Sequence, residues 1–296
     1  MASRLILGTA QLGMAYGINN STGQPDPILA KGIIEEAFRQ GIIAFDTAQA
    51  YGQSEAVLGR AFTSLSIADK VRVITKLDPT LDDQNAAALH NGVIGSLERL
   101  KVKSLEVLML HRQEQLLAWG PQIYPALRPL QTAGKVKRFG VSVYTPQAAR
   151  QALESEGIYS VQVPSNILDQ RFERAGIFRL AKERGKELYV RSVYLQGLLL
   201  MEPDKVPARL QFAVPYIAQV KALAQQYHVT LCELCLGYAL AKWPDALIIV
   251  GAETVGQVAE NAKIARGQLP KALVDNADIL FKNVDERVVN PVLWPK

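Results

Sequence analysis

A chain of 296 residues with 49% hydrophobic and 21% charged residues has the composition of a folded protein with a large core, which excludes disorder and low complexity. The formal charge of +5 comes from 33 Lys and Arg against 28 Asp and Glu, scattered over predicted helix faces rather than gathered in a stripe, so no nucleic acid partner is expected. No apolar run approaches bilayer length and MASRLILGTAQLG lacks the regions of a signal peptide, so no membrane association is expected and the cytoplasm is the expected location.

Eight short runs rich in Val, Ile and Leu, at residues 4–7, 42–45, 71–75, 105–110, 139–143, 161–163, 188–191 and 247–250, read as buried strands. Between them lie amphipathic segments such as LAKGIIEEAFRQG, AALHNGVIGSLERLKV, IYPALRPLQTAGKV, TPQAARQALESEG, IFRLAKERGK and YIAQVKALAQQYHV, several closing on the glycine that commonly ends a helix. Alternation of this kind, with no linker or composition break, predicts a single α/β domain over residues 1–296, a (β/α)8 TIM barrel. A doubly wound sheet is disfavoured because no G-x-G-x-x-G follows the first strand. Cys232 and Cys235 form a C-x-x-C inside TLCELCLGYALAKW, whose apolar residues recur at helical spacing, so they read as buried core thiols rather than a redox or zinc pair. His90, His111 and His228 show no paired-ligand spacing; no metal is expected, and a metal-dependent barrel hydrolase is disfavoured.

Four polar residues, Asp46, Tyr51, Lys76 and His111, each fall at or just beyond the end of a predicted strand, in four successive strand-to-loop junctions. Each alone has a structural explanation: a cap, a surface aromatic, a solvated lysine, a satisfied core histidine. Together they place polar groups at the mouth of a barrel otherwise filled with aliphatic side chains, the face where such barrels carry their chemistry. They form an expected proton-relay site in which the lysine charge lowers the phenol's pKa from its reference near ~10 and the phenol acts as a general acid.

With these motifs assembled, the chain resembles the aldo-keto reductase family. The resemblance rests on LGTAQLG at the first strand, FDTAQAYGQSEAVLGRA at 45–61, VITK ending at Lys76, LMLHR through His111 and GVSVY at 140–144. It continues through VQVPSN, RSVYLQGLLL and IIVGAETVGQVAENAK, so it covers nearly the whole chain in order.

The resemblance implies metal-free, NAD(P)H-dependent reduction of a small-molecule aldehyde or ketone, with NADP(H) as the cofactor and NAD(H) as the alternative. By it, Tyr51 donates the proton, Lys76 tunes the phenol, Asp46 holds the lysine, and His111 positions the carbonyl oxygen. Ser142, Gln162 and Asn166 are expected at the nicotinamide carboxamide, and Arg191 stands where many relatives stack an aromatic ring. Ser192, Leu195, Gly197 and Leu198 belong to the loop expected to wrap the pyrophosphate. Gly8, Thr9 and Asp46 at the first two strands, and Gly251, Glu253, Gln257 and Asn261 after the eighth, complete the expected cofactor set. Family members that grip the 2′-phosphate often carry a Lys-Ser pair where this chain has Gly251-Ala252, and a carboxylate at Glu253 disfavours a phosphate, so weaker discrimination for NADPH is expected. Pocket walls are expected from residues 14–20, 112–122, 201–212 and the C-terminal VLWPK, with Arg112, Trp119, Tyr144 and Trp294 as substrate-pocket residues and Tyr194 as a further aromatic candidate. A polar or sugar-like carbonyl is favoured as substrate. Two other readings stay open: an NAD-linked sugar or alcohol dehydrogenase running in the oxidative direction, and a cofactor-binding regulatory or redox-sensing subunit. Oligomeric state is not legible.

Overall fold

The structure is a computed structural model that describes residues 3–20 and 22–295. Eight strands, β1 (Leu5–Gly8), β2 (Ala44–Asp46), β3 (Arg72–Lys76), β4 (Leu105–Leu110), β5 (Val136–Ser142), β6 (Ile158–Pro164), β7 (Glu187–Arg191) and β8 (Leu247–Gly251), pair in parallel with their sequence neighbours. β8 returns to β1, in register from Leu5 with Ile248 to Gly8 with Gly251, and closes the barrel. The predicted (β/α)8 architecture is therefore present, although strand ends differ. β5 begins at Val136 because its polar start is held by ion pairs from Lys137 to Glu106 at 2.9 Å and Arg138 to Glu187 at 3.4 Å, which a search for apolar runs passes over.

The helices start where capping chemistry tells them to. Asp26 accepts from the amides of Ile28 and Leu29 ahead of Pro27–Arg39, Asn85 caps Ala86–Leu100, Thr145 caps Pro146–Glu154 and Thr254 caps Val255–Ile264. Leu231–Lys242 opens on a reciprocal box between Thr230 and Glu233.

The pleat sets what the barrel shows to its inside. Ile6, Ile74, Val107, Met109, Tyr189 and Ile249 point inward and plug the centre, while Leu5, Leu7, Phe45, Val73, Leu108, Val161 and Val190 point outward into the layer shared with the helices. Each such fully buried aliphatic side chain contributes roughly 1.5–3 kcal/mol, so the plug and the outer layer anchor every strand. Because side chains alternate with period two, the next inward position on each strand lies above the plug. Those positions are Gly8, Asp46, Lys76, Ser142, Gln162, Arg191 and Gly251, with His111 one step past β4. Residues expected at the site thus form the uppermost inward layer. Among the described residues, no helix is long and apolar enough to cross a membrane.

Candidate active site

Asp46 and Lys76 form the centre of that layer. The Lys76 ammonium donates to both Asp46 oxygens, at 2.8 and 2.7 Å, and to the Thr47 carbonyl at 2.9 Å, which uses all three of its hydrogens. Asp46 also accepts from Gln162 Nε2 at 2.9 Å. Both side chains are buried. Burial pulls the ammonium below the ordinary lysine range, and the Asp46 charge and hydrogen bonds oppose it.

Tyr51 and His111 face the same cavity, their rings meeting edge to face at 5.8 Å. The four residues come from three junctions, after β2, β3 and β4, not four, since Asp46 ends β2 and Tyr51 lies in the loop that follows. One expectation reverses. Lys76 does not bond the phenol but sits over its ring, 5.0 Å from the centroid, and burial together with Asp46 pushes the Tyr51 phenol above its ordinary value, opposed by Arg191. The hydroxyl therefore keeps its proton at neutral pH. His111 is pushed down to about 4 by burial and by the Lys76 and Arg191 charges, so its imidazole is neutral, with Nδ1 buried and unpartnered among the described residues.

From this corner a cavity of about 430 Å³ runs past β7 to the helix after β8. Gly8, Thr9, Asp46, Ser142, Gln162, Tyr144, Arg191, Ser192, Gly197, Gly251, Glu253, Gln257 and Asn261, all candidates from the sequence, line it. Thr9 lines it with a committed hydroxyl, bonded to the Asp46 carbonyl and Ser54 Oγ at 2.8 Å each. Gln162 turns Nε2 to Asp46 and Oε1 toward the Ser142 hydroxyl at 3.3 Å, which leaves a fixed amide oxygen and a hydroxyl at the catalytic end. Arg191 lies 4.4 Å over the Tyr144 ring and donates to the Val143 carbonyl at 3.3 Å. At the far end Tyr194 donates to Asn261 Oδ1 at 2.7 Å, and Gln257 Oε1 accepts from the Glu253 amide at 2.7 Å. Burial raises the Glu253 carboxyl above its ordinary range.

Six expected contacts lie elsewhere. Asn166 is buried and braces two loops, accepting from the amides of Leu168 and Asp169 and donating to the Ser192 carbonyl. Leu195 and Leu198 are core side chains, and the Leu195 amide already bonds the Ser192 carbonyl at 2.9 Å. Trp119 stacks on Tyr124 at 5.1 Å and donates to the Glu156 carbonyl, within the helical layer. Trp294 donates to the Arg287 carbonyl and is buried against the core. Arg112 points half-exposed toward Asp83 at 4.0 Å. Asn166, Leu195 and Leu198 stay beside cavity-lining residues but turn their side chains into the core or their own loop, whereas Trp119, Trp294 and Arg112 have partners away from the cavity.

Conversely, Gln11, Tyr16, Asn19, Leu200 and Cys232 also line the cavity, together with Gln196, from the loop expected at the pyrophosphate, and Glu260, which is expected with Asn261 at the adenine. Tyr16 and Asn19 fall in the wall expected from residues 14–20. Cys232 corrects the reading of both thiols as core: only Cys235 is fully buried, and the helical turn between them carries Cys232 to the surface of the cavity. The amide of Ile18 donates to the Gln196 carbonyl at 2.8 Å, joining the loop after β1 to the loop after β7.

An inward layer holding a buried ion pair, a protonated phenol and a neutral imidazole, opening on a cavity of mixed polar and apolar lining, suits a barrel oxidoreductase that works on a bound cofactor. The Aldo/keto reductase family model matches residues 4–281, and the chain belongs to that family. It is accordingly an NAD(P)-dependent oxidoreductase. It is similar to D-arabinose 1-dehydrogenase of Saccharomyces cerevisiae, 26% identical over 288 residues, covering 89% of this chain and 84% of the relative. L-galactose dehydrogenase of Arabidopsis thaliana is likewise 26% identical, over 86% of this chain and 81% of its own. Among solved structures, an aldo-keto reductase of Bacillus halodurans in holo form superposes with a TM-score of 0.77 at 24% identity, covering 97% and 95% of the two chains. One from Klebsiella pneumoniae, in complex with NADP and acetate, does so with 0.74 at 20%, covering 96% and 93%.

Proposed function

We propose that this chain reduces a small-molecule aldehyde or ketone to the alcohol with NAD(P)H, Tyr51 giving the proton. The observation that carries it is the meeting of Tyr51, His111 and Asp46 in one cavity, with Lys76 buried against Asp46. The residues present fit a nicotinamide dinucleotide. The cavity runs from Tyr51 to Asn261, Gly8 adds no side chain to its floor, Gln11 covers Gly251, and the end at Tyr51 offers the Ser142 hydroxyl and Gln162 Oε1 to a carboxamide. When bound, the cofactor supplies hydride to the carbonyl carbon. Tyr51 holds a proton at neutral pH and gives it to the oxygen as negative charge develops there. His111, neutral and with Nδ1 buried, has Nε2 left to hydrogen-bond that oxygen and fix its direction. Lys76 contributes positive charge from the far side of the phenol ring, and Asp46 keeps that charge in place. Removing the positioned acid of such a site costs roughly 10²–10⁴ in rate. The test is absorbance at 340 nm with NADPH or NADH and a panel of small aldehydes, comparing wild type with Tyr51→Phe. Turnover lost in the variant with cofactor binding intact supports the reading; equal turnover in both refutes Tyr51 as the acid.

A second reading is oxidation of a sugar hydroxyl with NAD as acceptor. Two sugar dehydrogenases stand among the relatives, and Glu253 lines the cavity beside the capped start of the helix after β8, where a carboxylate suits ribose hydroxyls better than a phosphate. Turnover of aldoses with NAD separates it from the first.

A further inference from the structure

We propose that Arg191 makes this site select the reduced, neutral nicotinamide over the oxidised, cationic one. The inference rests on the cofactor reading above. The two redox forms of the cofactor share the adenosine and pyrophosphate groups and differ at the nicotinamide ring, in charge and in aromaticity, so the part of their affinity ratio that changes when a nearby charge is removed reports on that charge. At the catalytic end of the cavity that charge is uneven. Lys76 is matched by Asp46, whose two oxygens both accept from it, and His111, its imidazole pushed down to about 4, is uncharged at physiological pH.

Arg191 remains, and its guanidinium carries a delocalised positive charge. Among the described residues no carboxylate lies within 4.0 Å of it; its contacts are the Val143 carbonyl at 3.3 Å, Ser192 Oγ at 3.2 Å and the face of Tyr144 at 4.4 Å. Glu253 and Glu260 also line the cavity, but they belong to the segment after β8, beside Gln257 and Asn261. Asp78 acts on His111 but does not line the cavity, so among the described residues Arg191 is the one Lys or Arg on the cavity wall, and no carboxylate pairs with it. Arg191 is fixed by stacking and two hydrogen bonds, and it lies on the strand next to Gln162. A pyridinium placed there is repelled, and a dihydropyridine is not.

The measurement is the dissociation constants of NADPH, NADP+, NADH and NAD+, by quenching of intrinsic fluorescence and by calorimetry, for wild type, Arg191→Lys and Arg191→Met. Wild type should bind the reduced form of each pair about tenfold more tightly, as an unmatched charge acting across a partly screened site implies. R191M should bring both ratios to within about threefold of unity, whereas R191K should keep most of the preference. Should R191M fail to fold by thermal melting, Arg191→Gln, which keeps a donor for the Val143 carbonyl, carries the same test. A wild-type ratio near unity, or a ratio unchanged in the neutral variant, overturns the inference and leaves the cofactor reading standing. Binding of none of the four nucleotides overturns both.

Discussion

Lys76 Nζ lies 5.0 Å from the centre of the Tyr51 ring while giving its hydrogens to Asp46 and Thr47. The lysine therefore meets the phenol only across the face of its ring, and the ion pair is a buried structural element of the barrel mouth. Lys76→Met should leave the Asp46 carboxylate buried and unpaired, at a cost of about 3–5 kcal/mol. Adding Asp46→Asn to that variant should return much of the loss, because no uncompensated charge then remains. Urea denaturation of the two single variants and the double one checks this; independent, additive losses would show that the pair is not coupled.

His111 gives stability a specific pH dependence. Its folded-state pKa is depressed to about 4 from 6.5, so the contribution is complete above 6.5. As pH falls through that window the unfolded chain takes up a proton that the folded one refuses, and the contribution is lost. The loss approaches roughly 2–3 kcal/mol at the bottom of the window, since a tenfold difference in proton affinity corresponds to ~1.36 kcal/mol. His111→Gln should flatten the profile between pH 6.5 and about 4 relative to wild type. Identical slopes in both proteins would contradict the assignment.

Glu253 should set the choice between NADPH and NADH. Removing its charge with Glu253→Gln should raise the NADPH to NADH ratio of kcat/KM up to about tenfold at low salt, and less at high salt, because the group is partly exposed and screened. Glu253→Lys should go further in the same direction. No change in either variant would mean that the 2′ position of the ribose lies elsewhere.

The barrel was legible because strands buried on both faces read as short apolar runs, and helices in between carry caps and closing glycines. The inward layer was legible for a related reason: Asp46, Lys76 and His111 stand in phase with Ala44, Ile74 and Met109, so the pleat that builds the plug also aims them. What sequence did not reveal was which way individual loop side chains turn. Trp119 and Trp294 look like pocket aromatics until their indole N–H groups are seen bonded to backbone carbonyls in the outer layer. Asn166 reads as a cofactor amide until its side chain is found capping its own loop. The direction in which the Tyr51 phenol moves was also out of reach, because burial and the Asp46 charge outweigh Arg191 only once these groups have positions.

The glycines of the two leading motifs hold Tyr51 in place, which yields the last prediction. Gly13, from LGTAQLG, ends the short helix Ala10–Gly13, and its carbonyl accepts from the Gln53 amide at 3.1 Å. A Cβ at Gly13 would fall inside contact distance of the Tyr51 carbonyl oxygen and the Ser54 amide, both backbone atoms with nowhere to yield. Gly52, at φ 53°, presses from the other side against the Gly13 carbonyl. The two motifs therefore need each other's missing side chains to bring the phenol over the ion pair. Gly13→Ala should cost about 1–3 kcal/mol of stability through overpacking. It should also lower kcat/KM on the order of 10²-fold, since displacing a reacting group by about 1 Å has that effect. Gly134→Ala is the control, because Gly134 sits at φ 69° in a turn with open space around it, so the new side chain strains the backbone without meeting a neighbour. That variant should lose about 1–2 kcal/mol of stability and keep wild-type kcat/KM. If Gly13→Ala keeps it as well, the backbone contact between the motifs does not position Tyr51.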